Sequence, residues 1–363
     1  MKKTIIFIIL LGLTACKNHA GKNQSVSTEN DSIETIQYSE SELISFLDSV
    51  GRLNPDSLVE GLSFIVDSTL YNQTILNHEL SISDFEKLKK VIKEDDLISI
   101  DIDFAKKIFP KLEFDSALIN RWGGENNIPI CFYSFDKNEN DFKEFAILIG
   151  CSICSWEGDV YFFYNKKVIA KHSIFYRYGL EIEHFKDENN RTVIYYRVNY
   201  GSGTGIWWHQ YNFYRYNKDQ LVPILTEIQN INLQYPWHIL RTYWIEAEIV
   251  SKKPLQLKFV YDNQFYDMSE TGSEILDEPR IDFIRDSTIV TYYIDKQSGK
   301  FIPDFSGTRL NKNKLLSYFH TADELLFVNV HYDLLKNKLN ENDTIMRKAI
   351  LNYLNDLKND LER

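Results

Sequence analysis

The stretch LQLKFVYD, Leu255 to Asp262, sets Leu255, Leu257, Phe259 and Tyr261 against Gln256, Lys258, Val260 and Asp262. Successive side chains on a strand point to opposite faces, so this period of two predicts a strand with one face buried. Working outward, comparable runs occupy Ile130–Phe135, Glu144–Ile149, Val160–Tyr164, Lys167–Phe175, Thr192–Tyr200, Ile206–Tyr216, Trp244–Val250 and Ser287–Ile294. The polar octapeptide DKNENDFK, Asp136 to Lys143, separates the first two and reads as a hairpin connection. Glycine, asparagine and aspartate turns, with no helical pattern between most strands, predict an antiparallel meander. A sandwich, a barrel and a partial propeller all fit that pattern.

The flanks carry a helical period instead. Ser39 and Glu42 form a capping box ahead of Leu43, Phe46, Leu47 and Val50, which share one helix face. Asn54-Pro55 offers an N-cap with proline at the first helical position, and Ser83 with Glu86 offers a second capping box. After residue 311 the helical period returns, and Asp343 precedes an amphipathic run through Met346, Ile350, Tyr353, Leu354, Leu357 and Leu361. The fold class is therefore α+β. An N-terminal helical section spans 39–128, a β-rich domain 129–305, and a C-terminal helical section 306–363.

The first 38 residues belong to neither class. Lys2 and Lys3 precede a ten-residue apolar stretch, Thr4 to Leu13, half the length a membrane-spanning helix needs. Leu13-Thr14-Ala15-Cys16 follows. This region resembles the signal peptide and lipobox of bacterial lipoproteins. The resemblance implies removal of residues 1–15, acylation of Cys16, and anchoring in a lipid bilayer of the cell envelope. Lys17 stands where an inner-membrane-retained lipoprotein of the enterobacterial type carries aspartate, which points to the outer membrane. Residues 16–38 then read as the lipidated cysteine and a polar, flexible tether.

The 363-residue chain has 41 basic and 52 acidic side chains, a net charge of −11. A field of that sign repels a phosphate backbone, and no basic patch offsets it, so nucleic-acid binding is excluded as the expected function. Aromatic residues make up 14%, concentrated in the β-rich part: Trp207, His209, Tyr211 and Phe213 alternate with Trp208, Tyr214 and Tyr216. With rings on both faces, this strand is expected to be central and its rings to be core.

Few residues point to chemistry. Cys151-Ser-Ile-Cys154 is a CxxC, but a strand follows rather than the helix a redox pair requires. Four zinc ligands are not available either. In an oxidising compartment a structural disulfide between Cys131 and Cys151 or Cys154 is the expectation. Gly201-Ser-Gly-Thr-Gly205 lacks the spacing of a phosphate loop and reads as a hairpin connection, so Gly201, Gly203, Gly205, Trp207 and His209 become ligand-contact candidates at a loop tip. No histidine pair has metal-ligand spacing, and no nucleophile elbow occurs. The acidic pairs Asp101/Asp103, Glu181/Glu183 and Glu246/Glu248 read as solvated faces. No cofactor or metal is expected. The sequence favours an envelope-anchored, non-enzymatic binding module for a partner protein or glycan; the alternative is an envelope hydrolase acting on glycan or peptidoglycan with an acid pair.

Overall fold

The computed structural model describes residues 36–59, 73–94, 99–112, 126–150, 157–175, 179–201, 207–232, 241–266, 280–319 and 324–362. Fourteen strands among them form two antiparallel sheets. The first contains β1 (Gln73–Glu79), β2 (Ser99–Asp101), β3 (Asn127–Ser134), β4 (Glu144–Ile149), β5 (Glu157–Tyr164) and β6 (Lys167–Phe175), in the order β1-β6-β5-β4-β3-β2. The second is a meander from β7 (Ile182–Lys186) through β8 (Thr192–Gly201), β9 (Trp207–Tyr216), β10 (Leu221–Asn232), β11 (Arg241–Lys252), β12 (Leu255–Tyr266) and β13 (Arg280–Ile294) to β14 (Phe301–Asp304). β3 and β4 pair as the sequence suggests, with Ile130 opposite Ile149 and Ser134 opposite Phe145.

Helices lie outside this double sheet. α1 (Glu40–Gly51) precedes the sheets; α2 (Ile82–Glu94) and α3 (Ile102–Ile108) are interleaved with β1 and β2. α4 (Lys312–Phe319), α5 (Glu324–Val330), α6 (Tyr332–Asn340) and α7 (Thr344–Glu362) end the chain. Alternation along single strands decides which layer each residue meets. Phe145, Ile147 and Phe163 of the first sheet pack with Leu88, Phe104 and Ile108 of α2 and α3. Their neighbours Ala146, Leu148 and Phe162 pack instead against Ile194, Tyr196, Tyr214 and Tyr216 of the second sheet. The opposite face of that sheet, including Val193, Phe213, Leu257 and Phe259, packs with α1 and the C-terminal helices. The unit Gln37–Arg363 is thus layered helix, sheet, sheet, helix, and the sandwich is the observed member of the three candidates.

Side-chain bonds tie the two sheets together. His172 Nδ1 lies 2.8 Å from the Tyr196 hydroxyl, the Tyr216 hydroxyl donates to the Phe145 carbonyl, and the Thr192 hydroxyl donates to the Glu144 carboxylate. Burial pushes the His172 pKa down to about 3 and keeps its ring neutral. At the far side, Gly51 ends α1 where an added Cβ would collide with the Tyr332 ring, so only glycine permits that approach to α6.

The caps follow the sequence with one correction. Ser39 and Glu42 make their capping box, Asn54 Oδ1 accepts from Asp56 N, and Asp343 Oδ1 accepts from Met346 N. The cap of α2, however, is Ser81, whose hydroxyl oxygen accepts from Asp84 N at 3.0 Å, and not Ser83 with Glu86.

The section boundaries also shift. Strands β1 and β2 lie inside the expected helical section 39–128 and form the two edges of the first sheet. Tyr38, assigned to the tether, is pinned to α7 by a 3.0 Å bond from its backbone N–H to Asn355 Oδ1. β7, β10 and β14 were not legible either. In β10, Pro223 breaks the pattern, and the strand accommodates it with a bulge between Pro223 and Leu225.

Candidate binding surface

The sequence directs attention first to the hairpin between β8 and β9. The two strands pair down to Gly201 opposite Trp207, so a hairpin connection is present. Gly203 and Gly205 lie outside the described residues, as do the side chains of Trp207 and Trp208. β9 is central, bonded to β8 and β10. Tyr211 and Phe213 pack toward the helices, while Tyr214 and Tyr216 pack between the sheets. The rings of this strand from Tyr211 onward are core, as two-sided aromatic patterning predicts. His209 is half-buried opposite Asn199 and Asn230; burial and then the Arg197 charge lower its pKa. Among the described residues no cluster of three or more histidine, cysteine or acidic side chains could hold a metal ion.

Beside this hairpin a polar cleft of about 420 Å³ is lined by Glu181 and Glu183 of the edge-strand side and by Tyr195, Arg197 and Tyr211. It brings together one of the acidic pairs that a glycan hydrolase would need. Glu183, however, lies 2.5 Å from Lys252 Nζ, and its hydrogen bonds to Lys252 and Tyr195 hold its pKa below the usual carboxylate range. A general acid needs the opposite shift. The carboxyl that is shifted far up, Glu227 at about 7, is half-buried on β10 with the Tyr292 hydroxyl 2.6 Å from Oε2. The pair Asp101/Asp103 is accounted for by structure, since Asp101 Oδ1 accepts from Asp103 N and Phe104 N at the start of α3.

Cys131 on β3 takes part in a disulfide. Cys16, Cys151 and Cys154 lie outside the described residues. The chain nevertheless approaches Cys131 just before Cys151, because Gly150 N donates to the Pro129 carbonyl at 2.9 Å.

The most distinctive surface was not legible in the sequence. The first sheet covers the second over β8 to β10, and no apolar cluster of described residues covers the same face over β11 to β14. Tyr243, Ile245, Ala247, Leu257, Phe259 and Val290 point to the helices, which turns the alternate residues outward. On the outward face Trp244, Val250, Ile289, Tyr293 and Ile302 are between 37% and 54% exposed. Register places Tyr293 opposite Ile302, and Glu248, Lys258 and Ile289 in one cross-strand row. Trp244, Asp262 and Arg285 form another row, with Arg285 Nε 4.0 Å from Asp262 Oδ2. Large apolar side chains therefore stand among charges of both signs on an open sheet face. The acidic pair Glu246/Glu248 lies on it, exposed as expected of a solvated face. No family model, curated protein or solved structure matches this chain.

Proposed function

We propose that this chain is a lipid-anchored protein of the bacterial envelope, held in the outer membrane through acylated Cys16, that binds a partner protein without carrying out chemistry. The observation that carries the binding reading is the open face of β11 to β14, where Trp244, Val250, Ile289, Tyr293 and Ile302 stand exposed. A pleated sheet face of mixed apolar and charged side chains offers a protein surface complementarity that it does not offer a small molecule, which needs concavity. Exposed aromatic side chains are the usual anchors of such contacts. The lowered pKa of Glu183 in the cleft at β7 to β9 supports binding over hydrolysis.

The test is a photo-crosslinking amino acid placed at Ile289 and at Tyr293 in the producing bacterium, with a control at Ile75, which is 81% exposed on β1. Both face positions should give one adduct of the same protein, identified by mass spectrometry, and Trp244→Asp should abolish it. Equal adducts from Ile75, or none from the face, would reject the surface. Adducts to glycan alone would replace the partner class.

A further inference from the structure

A second cavity, of about 650 Å³, opens on the helix side of the same sheet, between β12, β13, the segment after β14, and helices α4 and α6. Its volume is in the range of sites for small molecules. Three basic side chains line it, Arg309, Lys314 and Lys338, against two acidic ones, Asp286 and Asp333. That balance is the reverse of the chain's net charge of −11.

Two of the three cations have a carboxylate nearby. Arg309 Nη1 is 2.9 Å from Asp286 and Lys338 Nζ is 3.1 Å from Glu341. Lys314 is different. Its ammonium donates to the Arg309 carbonyl at 2.9 Å, and among the described residues no carboxylate oxygen lies within 4.0 Å of it. It is half-buried, and burial followed by the Arg309 charge lowers its pKa, with Asp333 opposing from farther off. A partly desolvated ammonium without a counter-ion is unfavourable unless an anion arrives to pair with it. The Arg309 side chain, 82% exposed, is free to swing over such an anion. Asp286, released by that movement, still has the Tyr261 hydroxyl as a neighbour. The remaining wall is apolar and aromatic, with Phe283, Tyr318 and Leu334.

We propose that this cavity binds a small organic anion, its carboxylate or phosphate group held between Lys314 and Arg309 and its apolar body resting on Phe283, Tyr318 and Leu334. The site is independent of the open sheet face and of any partner there.

The experiment is calorimetric titration of the full folded chain with benzoate and with phenyl phosphate, using sodium chloride at matched ionic strength as reference. At least one probe should bind saturably at one site, and the tighter of the two identifies the anionic group. Lys314→Met keeps the stem, removes the charge, and should weaken that binding at least tenfold. Lys314→Arg should retain it, and Asp333→Asn should tighten it severalfold. Arg309→Gln, at an exposed side chain that folding does not depend on, should also weaken binding, so that an unfolded Lys314 variant does not hide the answer. Saturable binding by neither probe, or undiminished binding by both charge-removing variants, would overturn the proposal.

Discussion

His172 of the first sheet and Tyr196 of the second meet at 2.8 Å in the layer between the sheets, one of the buried hydrogen bonds that cross it. Phe162 and Tyr214 each place their ring centroids 4.4 Å from the His172 ring. A protonated imidazole has no counter-ion in such surroundings, which is why its pKa falls to about 3. The unfolded chain binds the proton near the ordinary value of 6.5, so it holds more protons than the native state between those limits. Stability from this group is therefore complete above about pH 6.5 and is lost as pH falls toward 3. Urea unfolding across that window should show the slope, and His172→Gln should flatten it, whatever its absolute stability.

Glu227 acts with the opposite sign. Its pKa rises from 4.5 to about 7 because burial outweighs the hydrogen bond from Tyr292. The native state thus holds the extra proton between those values, and stability from this group declines as pH rises from about 4.5 to 7, then levels off. Two and a half units correspond to a cost on the order of 3 kcal/mol at pH 8. Glu227→Gln keeps the shape and the bond from Tyr292. It should raise the free energy of unfolding at pH 8 by that order and leave it nearly unchanged at pH 4.5. An equal effect at both pH values would show that the carboxyl is not the group that titrates.

β9 should tolerate truncation on neither face. Phe213 is fully buried toward the helices, and Tyr214 is 2% exposed between the sheets. Phe213→Ala and Tyr214→Ala should each destabilise by about 3–5 kcal/mol in chemical denaturation. A near-neutral result at either position would mean that the face it occupies is open.

The disulfide of Cys131 is expected to run to Cys151 or Cys154, since Gly150 already hydrogen-bonds beside it. Mass spectrometry of non-reduced peptides should show that link and one free thiol. Closing a loop of about 20 residues stabilises by roughly 3 kcal/mol in the chain-entropy view. Cys131→Ser should lower the melting temperature without preventing folding. A Cys151–Cys154 link would rule the pairing out and revive a redox role for the CxxC.

Cys16→Ser should abolish palmitate labelling and leave the precursor uncleaved by the lipoprotein signal peptidase. Continued labelling of that variant would end the lipoprotein reading.

Local chemistry by itself determined a large part of this fold. Alternation in Leu255–Tyr261 placed Leu257 and Phe259 on the buried face, because a strand's side-chain period of two is a property of the backbone. Ser39, Asn54 and Asp343 marked helix starts because each supplies an acceptor to orphan backbone N–H groups. Rings on both faces of β9 announced a strand covered twice. Only the tertiary structure decided the rest. β1 and β2 are short edge strands whose pairing comes from residues far away in the chain, and Pro223 hid β10 until a bulge absorbed it. The open face of β11 to β14 and the basic cavity beneath α4 are matters of which layer covers which. Ile289 and Tyr293 have the same residue types as core positions, and Lys314 looks like any surface lysine. What distinguishes them is the neighbour that is absent or present across space, and no local pattern encodes that.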